Sequence, residues 1–240
     1  MRIILTGYTG HMGREVRTCA EAAENCEIVA GVDMMIPTSE GICVKNFAEC
    51  KAEADVIIDF SHHSMTKELL DFAEGRKLPV VLATTGQTEE EKIPVFLAAN
   101  YSLGIATLTD LVKRVAALYP DGEIEIVEQH HDRKLDAPSG TALALFNAVK
   151  EVRPAAEANC GRSGQGKRTK DEVGIHAVRM GNIVGVHEVM IGTQNERITL
   201  KHEAFSRGVF AEGSLKAAAF LKGKSQPGIY DMKDLLKEGE

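Results

Sequence analysis

The chain has 240 residues, a formal net charge of −7 and 44% hydrophobic residues. That length holds one large domain or two small ones, with enough buried surface to need no staples. The acidic balance argues against nucleic-acid binding, which needs a basic excess to displace counterions, and no apolar run approaches the ~20 residues of a membrane span. The cysteines (Cys19, Cys26, Cys43, Cys50 and Cys160) are odd in number and never spaced C-x-x-C, so neither a disulfide framework nor a zinc site is expected. The N-terminal apolar run stops at Gly7, too short for a signal-peptide core. A cytoplasmic protein is the expectation.

Through the first hundred residues, short apolar runs alternate with amphipathic stretches. Ile3–Leu5, Ile28–Val32, Val56–Ile58 and Pro79–Leu82 are predicted strands. Met12–Glu24, His63–Glu74 and Glu89–Ala98 are predicted helices, and Gly104–Ala106 a further strand. Strands buried on both faces and alternating with helices imply a parallel sheet of βαβ units. After a predicted helix near Asp110–Leu118 the pattern changes. Glu123–Glu128 alternates with period two, a helix is expected over Ser139–Val152, and the glycine-rich basic stretch 159–172 reads as a mobile loop. Ile175–Arg179, Val186–Ile191 and Arg197–His202 are strand-like, and Phe210–Leu221 is an alanine-rich helix. The expected fold class is α/β: a Rossmann-type parallel sheet domain, then a second α+β domain with a mixed sheet, the boundary lying near residue 103.

Gly7-Tyr8-Thr9-Gly10-His11-Met12-Gly13 links the first strand to the first helix. Such glycines allow a tight turn, close approach of a pyrophosphate, and close helix–strand packing; the helix start adds free N–H groups and a positive dipole end. Asp33 follows Gly13 by 20 positions at the end of the second strand. Its carboxylate suits both hydroxyls of an adenosine ribose and repels a 2′-phosphate, and Met34 and Met35 supply no offsetting charge. NADH is therefore favoured over NADPH, although the basic residues of 162–170 can reach a phosphate and keep NADPH possible. Asp59-Phe60-Ser61, Ala83-Thr84-Thr85-Gly86 and Ala99-Asn100-Tyr101-Ser102 each follow a predicted strand or helix of this half. They fall on the carboxyl edge of the sheet, where such sheets bind ligands. Phe60 can wall off a ring of the cofactor, and the threonines can meet a ribose or carboxamide.

The central run, His130-His131-Asp132-Arg133-Lys134-Leu135-Asp136-Ala137-Pro138-Ser139-Gly140-Thr141, places proton-transfer groups beside a helix start. Ser139 after Pro138 is ordinary capping chemistry. Bare N–H groups at Gly140, flanked by the hydroxyls of Ser139 and Thr141, also clamp a carboxylate. His131 and Lys134 can add charge-assisted hydrogen bonds. His130 and Lys134 are the candidate proton donors, with Glu128 and Asp136 available to hold them. No metal site is expected, because a second set of ligands at suitable spacing is missing.

Glu125-Ile126-Val127-Glu128-Gln129-His130-His131, running through Lys134 to Asp136-Ala137-Pro138-Ser139-Gly140-Thr141-Ala142, resembles the signature of the 4-hydroxy-tetrahydrodipicolinate (dihydrodipicolinate) reductase family. The likeness extends to the 7–13 loop, Thr84-Thr85-Gly86, Ala99–Ser102, Arg179-x-Gly181-Asn182-Ile183-Val184-Gly185, Glu196-Arg197, Ser206-Arg207 and Gly228–Met232. The resemblance implies hydride transfer from a nicotinamide to a cyclic imine dicarboxylate, with loss of water and addition of a proton at carbon, in lysine biosynthesis by the diaminopimelate route. It implies His130 and Lys134 as catalytic residues, and His131, Ser139, Gly140 and Thr141 around a substrate carboxylate. Residues 7–13, Asp33, Phe60, Ala83 to Thr85 and Ala99 to Ser102 then line the cofactor. It further implies a homotetramer built through the second sheet, and a first domain of 1–102 completed by 208–240, with 103–207 as the substrate and oligomerisation domain. A non-catalytic NAD(P)-sensing regulator would need neither His130 nor Lys134. Another Rossmann oxidoreductase of the sugar or amino-acid dehydrogenase type would lack the helix start beside the histidines.

Overall fold

The computed structural model describes residues 1–83 and 92–238. The chain divides into two compact units, Met1–Leu103 with Arg207–Glu240, and Gly104–Ser206.

The first unit contains β1 (Arg2–Thr6), α1 (His11–Ala22), β2 (Glu27–Val32), β3 (Cys43–Val44), β4 (Val56–Asp59), α2 (Thr66–Arg76), β5 (Val80–Leu82) and β6 (Pro94–Leu97). The second contains almost all of α3 (Leu103–Leu118), then β7 (Glu123–His130), α4 (Gly140–Val152), β8 (Glu157–Cys160), β9 (Glu172–Arg179), β10 (Gly185–Gly192) and β11 (Arg197–Ala204). The chain then returns to the first unit as α5 (Gly208–Lys222), β12 (Gly228–Tyr230) and α6 (Met232–Lys237).

The first sheet has the order β12-β6-β5-β4-β1-β2-β3, and every pairing in it is parallel. Its inner strands are apolar at their centres because helices or loops cover both faces: Ile3, Ile4, Leu5, Ile57 and Ile58 are wholly buried. The carboxyl ends of β1, β2 and β4 lie side by side, Thr6 opposite Val32 and Asp59. Helix α1 directs Val16 and Ala20 into the interior. Helix α5 packs on α1 and on β4 to β6, where Gly213 lets it come so close to the chain at Tyr101 that a Cβ there would overlap the Tyr101 carbonyl.

The second sheet runs β11-β10-β7-β9-β8. Strand β7 pairs antiparallel with β10 and parallel with β9, so the sheet is mixed. One face, carrying Ile124, Ile126, Val173, Ile175, Val189 and Ile191, packs with Val112 of α3 and Leu145 and Val149 of α4. Period-two alternation carries that face on to Glu128 and His130 at the end of β7.

Three segments differ from the sequence expectation. Pro94–Leu97, within the predicted helix Glu89–Ala98, is strand β6 between β5 and β12; Pro94, Val95 and Phe96 are buried in succession, and such a run carries no helical period. Gly104–Ala106, predicted as a strand, lies in the first turns of α3, whose inward stripe is Ile105, Leu108, Val112 and Ala116. The 159–172 stretch, predicted mobile, begins in β8 and is tied down beyond it. Arg168 bonds the Glu125 carboxylate at 2.8 Å and the Glu172 carbonyl at 2.5 Å, Arg162 pairs with Glu172, and Lys170 lies 3.4 Å from Asp121. Arg162, Arg168 and Lys170 thus make ion pairs within the second unit.

Candidate active site

In the first unit the glycine loop is built by close approach. Gly7 has φ +71°, donates to the Val32 carbonyl at 3.0 Å, and has no room for a Cβ beside the Phe60 carbonyl. A Cβ on Gly13 would overlap the carbonyls of Gly7 and Tyr8, and one on Gly10 would stand 3.2 Å from the Gly7 oxygen. Helix α1 starts at Gly10 with no side-chain cap and no acidic residue in its first turn. Its positive end thus carries no built-in neutralising group.

Asp33 lies at the end of β2, 6% exposed. Its Oδ2 accepts from the Thr9 amide at 2.8 Å and the Thr9 hydroxyl at 2.6 Å, and its Oδ1 from the Met35 amide at 3.0 Å. Burial raises the carboxyl pKa, but the Thr9 and Met35 hydrogen bonds outweigh it and hold the group below the usual carboxylate range. A carboxylate has about four acceptor positions, so roughly one is left where the sequence pattern suggests a partner for both ribose hydroxyls. Tyr8 is wedged against Gly31, where a Cβ would overlap its ring, and Arg17 covers that ring at 4.4 Å. The side chains of Tyr8 and Thr9 therefore anchor the loop to its own unit.

Farther along this edge, Phe60 meets Tyr101 edge-on at 6.1 Å between ring centroids. Tyr101 is buried, and its hydroxyl lies 2.8 Å from the Leu82 carbonyl and 3.0 Å from the Phe96 carbonyl, sharing its proton across the ends of β5 and β6. Burial pushes its phenol pKa up, and the two carbonyls hold the hydroxyl in place. The Asn100 side-chain oxygen accepts from the Ser102 amide at 2.8 Å, while Ala99 is exposed and Ala83 half-buried. His11 is exposed and Met12 half-buried at the start of α1. Thr84, Thr85 and Gly86 lie outside the described residues.

The second unit gathers its polar groups at one end of the helix-covered face. Glu128 is wholly buried and accepts four hydrogen bonds: His130 Nδ1 at 2.5 Å, the Ser139 amide at 3.0 Å, and Arg179 twice at 2.8 Å. Burial raises its pKa, but His130, Arg179 and Ser139 more than reverse this and bring it to about 2. The ionised carboxylate fixes Nδ1 of His130 as a donor, which leaves Nε2 for proton exchange. Nε2 faces Gly185, where a Cβ would approach it to 3.2 Å.

The loop after β7 is held by its neighbours. Met180 donates to the His130 carbonyl at 2.9 Å, Asp132 to the Gly181 carbonyl at 3.2 Å, and Arg133 to Asn182 at 2.9 Å. Lys134, its side chain 23% exposed, lies 2.9 Å from Asp136. Ser139 caps α4, accepting from the Ala142 amide at 3.2 Å. A Cβ on Gly140 would meet nothing within 4 Å, so the space over the helix start is open. His131 and Thr141 flank this region half-buried.

Two residues given no role from the sequence belong to this cluster. Arg179 ties Glu128 to the Asp136 carbonyl, 2.6 Å away. His187 is buried 3.3 Å from the Ser139 hydroxyl and edge-on to the His130 ring at 5.2 Å. A signal for His187 was present: it shares the inward parity of Val189 and Ile191, so a histidine stands where the strand calls for an apolar residue. Among the described residues, no group of three or more His, Cys, Asp or Glu could hold a metal ion, and no helix is long and apolar enough to cross a membrane.

Comparison with known proteins aligns both halves. Residues 1–107 match the family model described as dihydrodipicolinate reductase, N-terminus, and residues 104–236 that described as dihydrodipicolinate reductase, C-terminus. The 4-hydroxy-tetrahydrodipicolinate reductase of Clostridium tetani is 45% identical over 248 residues, 98% of this chain and 97% of that protein. That of Caldanaerobacter subterraneus subsp. tengcongensis is 46% identical over 250 residues, 100% of this chain and 99% of that protein. The fold matches a dipicolinate-bound dihydrodipicolinate reductase from Paenisporosarcina sp. with a TM-score of 0.80 at 24% identity, covering 96% of this chain and 97% of that one.

Proposed function

Because this chain belongs to the dihydrodipicolinate reductase family, we propose that it reduces 4-hydroxy-tetrahydrodipicolinate to tetrahydrodipicolinate, with loss of water, in the diaminopimelate route of lysine biosynthesis. The observation that carries this reading is the Glu128–His130 pair, with Lys134 in the same short loop, at the strand end from which the chain runs to the capped start of α4. A cyclic diacid that must be protonated needs an anion site and a proton donor, and this cluster offers both. A reduced nicotinamide dinucleotide, when bound, supplies the hydride.

The remaining work falls to the protein's own groups. The glycine cradle at 7–13 and the uncapped end of α1 suit a pyrophosphate, and Asp33 offers its remaining acceptor position to an adenosine ribose hydroxyl. The ionised Asp33 disfavours a 2′-phosphate, so we take NADH as the preferred donor and NADPH as a poorer one. We assign Phe60, Ala83 and Ala99 to Ser102 to the rest of the cofactor, together with Thr84 and Thr85 on the sequence pattern alone. The Ser139 and Thr141 hydroxyls, the N–H groups at Gly140 and the His131 ring hold one substrate carboxylate. His130 through Nε2, or Lys134 through its ammonium, delivers the proton to ring carbon. We also take the enzyme to be a cytoplasmic homotetramer that uses residues 103–207 for substrate and assembly.

The test is direct. Purified protein, mixed with the freshly made product of dihydrodipicolinate synthase, should consume NADH in proportion to the imine supplied. Absence of oxidation with either NADH or NADPH would end this reading. Sedimentation velocity tests the tetramer, which a single species at the monomer mass of 26.0 kDa would exclude.

A further inference from the structure

His187 stands in the middle of a polar row that crosses the second sheet. Its register partners are Glu128 on β7 and His202 on β11. It is 4% exposed, with Nε2 3.3 Å from Ser139 Oγ and Nδ1 buried without a hydrogen-bond partner among the described residues. Its ring meets that of His130 at 73°. Burial and then the charge of His130 push its pKa down to about 4, helped by His202 and Lys134 and opposed by Glu128. The imidazole is therefore neutral near neutral pH.

We propose that His187 is a positioning residue that aims the Ser139 hydroxyl proton at the anion bound over the start of α4. Ser139 Oγ accepts from the Ala142 amide. If His187 donates its Nε2–H, both acceptor sites of Oγ are filled. The only polar direction left to the hydroxyl is then that of its own proton, outward, as a donor. The opposite tautomer would take up the serine proton and turn an Oγ lone pair towards the carboxylate. It would also bury an N–H at Nδ1 with no acceptor, and orphaned N–H groups are rarer in folded proteins than under-satisfied acceptors. This inference rests on the reading that Ser139 holds a substrate carboxylate.

The experiment uses the full chain loaded with NADH and titrated calorimetrically with pyridine-2,6-dicarboxylate. His187→Leu should weaken the probe about 10-fold, the scale of one misdirected hydrogen bond to a charged group. His187→Gln, which keeps a donor near Nε2, should stay within about 3-fold of wild type, and Ser139→Ala should abolish the difference between Leu and His. KM for the diacid should follow these changes while KM for NADH stays within about 2-fold. Equal losses from His187→Leu with and without Ser139, or no advantage of Gln over Leu, would overturn the proposal. Imidazole 15N spectra of the wild type need no variant: the Nε2–H tautomer is expected, and an Nδ1–H tautomer or an imidazolium near neutral pH would overturn it. A wild-type chain that binds no diacid would remove the carboxylate reading itself, whereas binding indifferent to His187 would remove only this proposal.

Discussion

Lys134 and His130 differ in how they are held. His130 is fixed by a buried carboxylate whose four hydrogen bonds leave it no freedom, whereas Lys134 leans on the exposed Asp136. A Lys134→Ala variant should fold normally and lose about 10²–10⁴-fold in kcat, the scale of a general acid; steady-state NADH oxidation checks it, and full turnover would remove Lys134 from the proton path. The same buried groups set the acid side of stability. Glu128 has a folded pKa of about 2 against an ordinary 4.5, so the unfolded chain takes the proton first as pH falls. Its stabilisation is complete above about pH 4.5 and lost as pH falls towards 2. His187 has a folded pKa of about 4 against 6.5, so stability also declines from about pH 6.5 down to 4 as its unfolded form protonates. Urea midpoints measured against pH should therefore fall in two stages, and His187→Gln should flatten the upper one.

At the scale of elements, close packing is enforced by glycines and by one tyrosine. Helix α5 reaches the Tyr101 carbonyl through Gly213, and the Tyr101 hydroxyl pins the ends of β5 and β6. Gly213→Ala should destabilise the chain by roughly 1–3 kcal/mol, the usual scale of overpacking, seen as a lower urea midpoint at unchanged slope. The periodicity that made most elements legible fails where elements are short. Val95-Phe96-Leu97 has the composition of a buried helix segment as much as of a strand, and only pairing with β5 and β12 makes it β6. Ile105 was readable as part of the α3 stripe once Leu108 and Val112 were counted with it. Strands β3, β8 and β12, each four residues or fewer, gave no period to read.

For the whole molecule, the cofactor and the substrate are assigned to different units, each with its own hydrophobic core. In the proposed reading, cofactor choice is set at the end of β2. Met34 is 47% exposed, so a long cation there costs no core packing. Met34→Arg should raise kcat/KM for NADPH about 5-fold, the worth of an exposed ion pair of ~1 kcal/mol, with little change for NADH; no change would mean that the 2′ position is read elsewhere.

The sequence by itself determined the class of the protein. The glycine loop, the acidic residue after β2, the histidines, Lys134 and the capped helix start are local features, legible because turn geometry, dipoles and capping act over a few residues. Tertiary structure decided which partners those groups keep. It joined Glu128, Arg179 and His187 from three strands around His130 and Ser139, and it turned Thr9 onto Asp33. Sheet register and burial make those assignments, and both depend on residues distant in the chain.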